Sequence, residues 1–289
     1  MKRFAAFFFL VQLFLAAYYL DLWKGPNAMS RALPVLAMLE DGTLRIDPYH
    51  EATMDKSVVD GHYYSDKAPL PSFLVMPAYG ALRLVGLIDA ANQVPGSRTI
   101  FLLGAFICGS VPFAWMALLL FRNLPDHPSR IALAVLPLFG SMLFAFSGTF
   151  YSHVLAAALV LTAYIHLTRT GNVLKAGIWL GLAILTEYPT GWLLAVWAVL
   201  LLVRHRQLRP VAWFLAGAAP GLLALGLYNY FTTGSPVDFL YNHVATESFV
   251  SEHMGFSYPR VDALIGLAFG SYRGLLFYWP VHQQWNEHR

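Results

Sequence analysis

Nine apolar stretches, most of them separated by short polar turns, leave this chain few ways to fold. They cover residues 4–20, 70–88, 99–121, 131–147, 154–167, 176–186, 190–203, 211–231 and 263–281. In hydrocarbon the backbone finds no water, so such stretches satisfy their N–H and C=O groups as helices. Charged residues make up 12% of the chain, about half the share of a soluble domain. The expectation is an all-α polytopic membrane protein, one transmembrane domain spanning 1–289. Several stretches fall below the roughly 20 residues of a full span; residues at their ends are expected to line the site. The single Cys108 lies in an apolar run and excludes an internal disulfide framework. No basic run points to nucleic acid.

Basic residues in short loops orient such a chain. If 70–88 does not cross, then Lys2, Arg3, Arg122, Arg130, Arg169, Lys175, Arg204, Arg206 and Arg209 share the cytoplasmic side, and the outer loops beyond residue 99 receive only Arg260. A crossing at 70–88 would move the seven from Arg122 to Arg209 outside. Segment 70–88 is therefore expected to be interfacial or re-entrant. Pro71, Pro77 and a mid-segment Arg83, a snorkelling or lipid-binding cation, agree with that. The N-terminus is then cytoplasmic, with 4–20 a retained first helix, because no small-residue cleavage site follows it. Trp192, Trp197, Trp213 and Trp279 fall near helix ends, as interfacial aromatics do.

Half of the acids lie between the first two apolar stretches: Asp21, Glu40, Asp41, Asp47, Glu51, Asp55, Asp60 and Asp66, against eight in the rest of the chain. The loop 21–69 is thus the first outer loop and the richest candidate site. A carboxylate there can take a proton from a hydroxyl, and a Lys or Arg can hold a phosphate. Any one of these acids alone reads as a turn or cap residue; the cluster is the signal. His50 and His62 with neighbouring acids make a divalent metal conceivable, but their spacing matches no specific metal pattern. No G-x-S-x-G elbow, phosphate-cradling glycine loop or H-E-x-x-H is present. The same topology brings His153 and the Glu187-Tyr188-Pro189 break to the outer face.

The segment Gly61-His62-Tyr63-Tyr64-Ser65-Asp66-Lys67-Ala68-Pro69, after one helix and a long acidic loop, resembles bacterial GT-C membrane glycosyltransferases of the protein mannosyltransferase and aminoarabinose transferase type. Ser30-Arg31, Phe150-Tyr151-Ser152-His153, Leu185-Thr186-Glu187-Tyr188-Pro189 and Gly274-Leu275-Leu276-Phe277-Tyr278 extend the likeness over most of the chain. The resemblance implies a GT-C-like helical bundle with a long structured first outer loop in the inner membrane. It implies a polyprenyl-phosphate sugar as donor, and a lipid, glycan or protein hydroxyl as acceptor. Lys67 matches the family's lysine before proline near the donor phosphate, with Asp66 and Arg31 beside it. Asn27, His153 and Glu187 differ from the residues many relatives carry there, so the base is not carried over. Asp55, Asp60 and Asp47 are candidates from local chemistry, and His62, Tyr64, His153, Glu187 and Tyr188 are candidates for substrate contact.

The leading reading is a glycosyltransferase acting at the outer face. A polar-lipid transporter or flippase is weakened by the lack of an inverted repeat and by the small number of intramembrane charges. An inactive lipid-sugar-binding paralogue is the third reading. The polar ending 282–289 is abrupt for the family, and a truncated or fragmentary chain is expected.

Overall fold

The apolar stretches are helices in the computed structural model, which describes residues 2–20, 25–88, 98–245 and 260–270. The helices are α1 (Lys2–Tyr18), α2 (Pro26–Glu40), α3 (Leu70–Leu84), α4 (Arg98–Gly104), α5 (Val111–Asn123), α6 (Arg130–Phe139), α7 (Met142–Ser147), α8 (His153–Thr168), α9 (Val173–Thr186), α10 (Gly191–His205), α11 (Leu208–Thr233) and α12 (Val261–Phe269). The one sheet among the described residues is a hairpin of β1 (Ser57–Val59) and β2 (His62–Tyr64). Arg98–Asn123, Tyr188–His205 and Leu208–Thr233 are long and apolar enough to cross a bilayer. The architecture is that of an all-α membrane protein. The other apolar helices are shorter: the 14 residues of α9 reach about 21 Å, less than the roughly 30 Å of hydrocarbon.

Two hydrophobic clusters fill the interior. One joins Leu33 and Leu36 of α2, Tyr79 of α3, Phe101 of α4, Leu159 of α8, Leu180 of α9 and Phe214 of α11. The other joins Phe8 of α1, Phe113 of α5, Leu138 of α6 and Val154 of α8. α8 serves both. α9 and α11 pack backbone against backbone: a Cβ on Gly177 would lie 2.0 Å from Phe214 O, and one on Gly221 would lie 2.5 Å from Gly181 O. In lipid, where apolar side chains gain little by leaving their solvent, such small-residue faces allow close dispersion contact. The pairing holds the end of α9, and hence Glu187, beside Leu222 and Leu225 of α11.

The structure redraws four predicted segments. Within 21–69, read as a loop from its acids, α2 is a helix with ten buried residues out of fifteen. Pro26 starts it at a position where the missing N–H costs nothing. The predicted 131–147 helix is two, α6 and α7, broken at Gly140-Ser141; the Ser141 side chain caps α7 by accepting from Leu143 N. Between α4 and α5, Ala105–Ser110 form a π-helical turn. Pro112 explains it: the ring lacks an N–H and crowds the carbonyl four residues back, and one extra residue in the turn relieves that crowding. Segment 70–88 contains the 15-residue α3, about 22 Å long and short of a full crossing. Arg83 does not snorkel freely. Its guanidinium grips Glu40 at 2.6 and 2.8 Å and donates to Leu39 O at 2.9 Å, at the C-terminus of α2. Of the predicted 263–281, only the part up to 270 is described. Gly274–Tyr278 of the resemblance, Trp279 and the polar ending lie outside the described residues.

Candidate functional site

Chain breaks rather than helix centres build the polar end of the bundle. α2 presents Asn27, Ser30 and Arg31. The strand β2 runs out into Ser65-Asp66-Lys67, which leads into α3. His153 is the first residue of α8, and Glu187 ends α9. These meet around a cavity of about 620 Å³. Arg31, Asp66, Lys67, His153, Glu187 and Tyr188 form its polar wall; Trp192 and Leu194 of α10 with Leu222 and Leu225 of α11 form an apolar wall. Phe239, Tyr241 and Asn242 cover it. That cover is tied to the hairpin by Ser57 Oγ donating to Leu240 O at 2.6 Å and Ala245 N donating to Lys56 O at 2.9 Å.

Arg31 is the hub. Its side chain is 2% exposed. It donates to Asn27 and to Ser152 Oγ, and lies 3.4 Å from Glu187 Oε1. Ser152 in turn donates to Glu187, whose Oε1 is also 3.1 Å from His153 Nδ1. A second network adjoins it. Lys67 Nζ bridges Asp66 at 2.7 Å and Asp55 at 2.8 Å, and Asp66 Oδ1 accepts from Ser30 Oγ at 3.0 Å. Ser30 also shares a 2.8 Å hydrogen bond with Ser65. Among the described residues, Arg31 Nε and the Tyr188 hydroxyl are buried without a hydrogen-bond partner.

The predicted residues divide accordingly. Arg31, Asp66, Lys67, His153, Glu187 and Tyr188 share the cavity, and Asp55 touches it through Lys67. The other four belong to the hairpin. Asp47 holds His62 Nδ1 at 2.8 Å and Tyr63 N at 2.6 Å. The Tyr64 hydroxyl accepts from Arg45 Nε at 3.3 Å. Asp60 and Gly61 form the turn, with φ of 51° and 79°, the left-handed pair a two-residue hairpin turn requires. His50 stacks on Tyr63 at 3.7 Å. Among the described residues, no group of three or more His, Cys, Asp or Glu side chains is placed to hold a metal ion. Sequence reading did not single out Ser65 or Ser152 as site residues. Ser152 bridges Arg31 and Glu187, while Ser65 meets the Ser30 hydroxyl and accepts from Lys67 N; a lone serine in either segment carries no sequence signal of such a partner.

Charge settles how the networks titrate. Burial pushes the Glu187 carboxyl up, but His153, the Arg31 charge and Ser152 outweigh it, and its pKa lies below the ordinary 4.5. Burial pulls the Lys67 ammonium down, but Asp66 and Asp55 outweigh it, and its pKa lies above the ordinary 10.5. A depressed acid stabilises the fold above its unfolded pKa and loses that as pH falls through the folded value. A raised base stabilises below its unfolded pKa and loses that as pH rises through the folded one. The contribution of Lys67 is thus constant between about pH 5 and 10, whereas that of Glu187 also depends on its histidine partner His153. In detergent, replacing Lys67 by Met is expected to lower the unfolding midpoint by the same amount at pH 6 and pH 8, because its partners Asp66 and Asp55 are carboxylates. A variant effect that varies between those pH values would contradict the assignment.

The chain matches no protein-family model, no curated protein and no solved structure. The site therefore rests on its own geometry.

Proposed function

We propose that the protein is a GT-C-like glycosyltransferase that takes its sugar from a polyprenyl-phosphate carrier. The observation that carries this reading is the two-sided cavity, with Arg31 and Lys67 on one wall and an apolar wall from two helices long and apolar enough to cross a membrane. An isoprenoid phosphodiester has those two ends. Its chain lies along Trp192, Leu194 and Leu222, and its phosphate meets Lys67 and Arg31. The orphaned Arg31 Nε and Tyr188 hydroxyl supply further donors for phosphate or sugar oxygens. Arg169, Lys175, Arg204, Arg206 and Arg209 lie in the turns or the adjoining helix ends, opposite the cavity on the same helices. With more cations on the cytoplasmic side, this supports placing the N-terminus in the cytoplasm and the cavity at the outer face of a bacterial inner membrane.

Transfer then runs as follows. The acceptor hydroxyl, of a lipid, glycan or protein, attacks the anomeric carbon with inversion. A carboxylate takes its proton, and the carrier phosphate leaves with the bonding pair, its charge stabilised by Lys67. Asp55 is the base in this scheme. Asp66 is 5% exposed and spends its oxygens on Ser30 and Lys67, whereas Asp55 is 33% exposed and holds only Lys67 through Oδ2. A phosphodiester at Lys67 competes with Asp55 for the ammonium and frees that carboxylate as the donor arrives.

The test uses the purified full chain with a labelled polyprenyl-phosphate sugar and membrane lipid extract. Label moving into acceptor is expected. Lys67→Ala should weaken donor affinity roughly tenfold or more, the cost of one charge-assisted contact, with the protein still folded. Donor that neither binds nor is consumed would overturn the reading; binding without transfer would leave an inactive lipid-sugar-binding protein.

A further inference from the structure

A second cavity, of about 670 Å³, lies at the other end of the bundle. It opens where the α8–α9 and α10–α11 turns come together. Tyr164, Trp197, Leu200 and Trp213 line its length, and Arg204 and Arg209 stand at its rim. It exists because α10 packs on the bundle by a thin strip: only 6% of its spanning window is buried, against 56% for Arg98–Asn123. The rim charge has no local answer. Between Asp126 and Asp238 the one carboxylate is Glu187, which lies beyond the opposite end of α10, about 22 Å away along its 15 residues. Arg169, Lys175, Arg204, Arg206 and Arg209 all belong to this end, and neither Arg204 nor Arg209 has an ion-pair partner among the described residues.

The geometry points to a binding site for one anionic phospholipid, its headgroup phosphate between Arg204 and Arg209 and an acyl chain along Trp197, Leu200 and Trp213. Charge complementarity selects this occupant. Arginine forks suit a phosphate, and basic pockets between membrane helices attract anionic headgroups. The apolar groove continues into the bilayer, where a zwitterionic lipid gains the same chain contacts but a weaker headgroup contact.

The full chain is reconstituted in phosphatidylcholine vesicles carrying a small fraction of brominated phosphatidylglycerol or brominated phosphatidylcholine. Bromine quenches nearby indoles, and Trp197 and Trp213 report the groove. Quenching by phosphatidylglycerol should saturate at a roughly tenfold lower mole fraction. Arg204→Gln with Arg209→Gln should abolish that preference, and Trp197→Phe with Trp213→Phe should remove the selective component. The unmodified protein gives an independent reading, because rising salt should shrink the preference. Equal quenching by the two lipids at low salt overturns the proposal. So does selectivity that survives loss of both arginines. Displacement by millimolar inorganic phosphate also overturns it, assigning the rim to free phosphate instead.

Discussion

On the proposed transferase reading, Asp55→Asn is expected to lower sugar transfer by roughly 10²- to 10⁴-fold and to leave donor binding intact. That range is what a positioned general base contributes to an acceptor losing its proton in the transition state. The substitution keeps the shape of the side chain and its reach to Lys67. It removes a carboxylate that competes with the donor phosphate for the ammonium, so donor affinity holds or rises. Asp60→Asn and Asp47→Asn separate chemistry from folding. Asp60 serves a turn whose φ of 51° Asn tolerates equally well, so that variant should transfer sugar normally. Asp47 anchors His62 and Tyr63 N, so its loss should loosen the hairpin before it touches the chemistry. If Asp55→Asn turns over normally, Asp55 is not the base.

Arg31→Met destabilises the protein by about 3 kcal/mol, the scale of removing one member of a buried ion pair. Met roughly fills the space but takes the guanidinium from the Glu187 carboxylate, leaving it only His153 and Ser152, and leaves Asn27 and Ser152 without their donor. Much of the cost comes from the stranded acid, so Arg31→Met with Glu187→Gln should cost clearly less than the two single changes summed. Unfolding in detergent measures all three variants. A loss below about 0.5 kcal/mol for Arg31→Met would place Arg31 among exposed ion pairs and remove it as the hub.

Long apolar runs made most helices legible, because a bilayer allows a 20-residue apolar segment little else. α2 was hidden by the very residues that matter: Asn27, Ser30, Arg31 and Pro34 break its apolar pattern, yet each except Pro34 faces a polar partner. The hairpin carried a plain signal, Asp60-Gly61 between β-branched and aromatic residues, but the acid drew attention as chemistry rather than as a turn. Chain order and charge led to the expectation of Arg31, Lys67, His153 and Glu187 at one end, and all four line one cavity. Which acid faces which cation depends on side-chain packing. No local pattern distinguishes Asp55, 2.8 Å from Lys67, from Asp47, which is spent on the hairpin.

On the proposed reading, one cavity holds a phosphate at Lys67 and Arg31 and an isoprenoid along α10 and α11. A polyprenyl phosphate with a photoreactive group on its first isoprene units tests it directly. Irradiated with the full chain in detergent and digested, it should label peptides carrying Trp192, Leu194 or Leu222, and an excess of unmodified polyprenyl-phosphate sugar should suppress the labelling. Label confined to other helices, or label the sugar donor does not displace, would contradict the account.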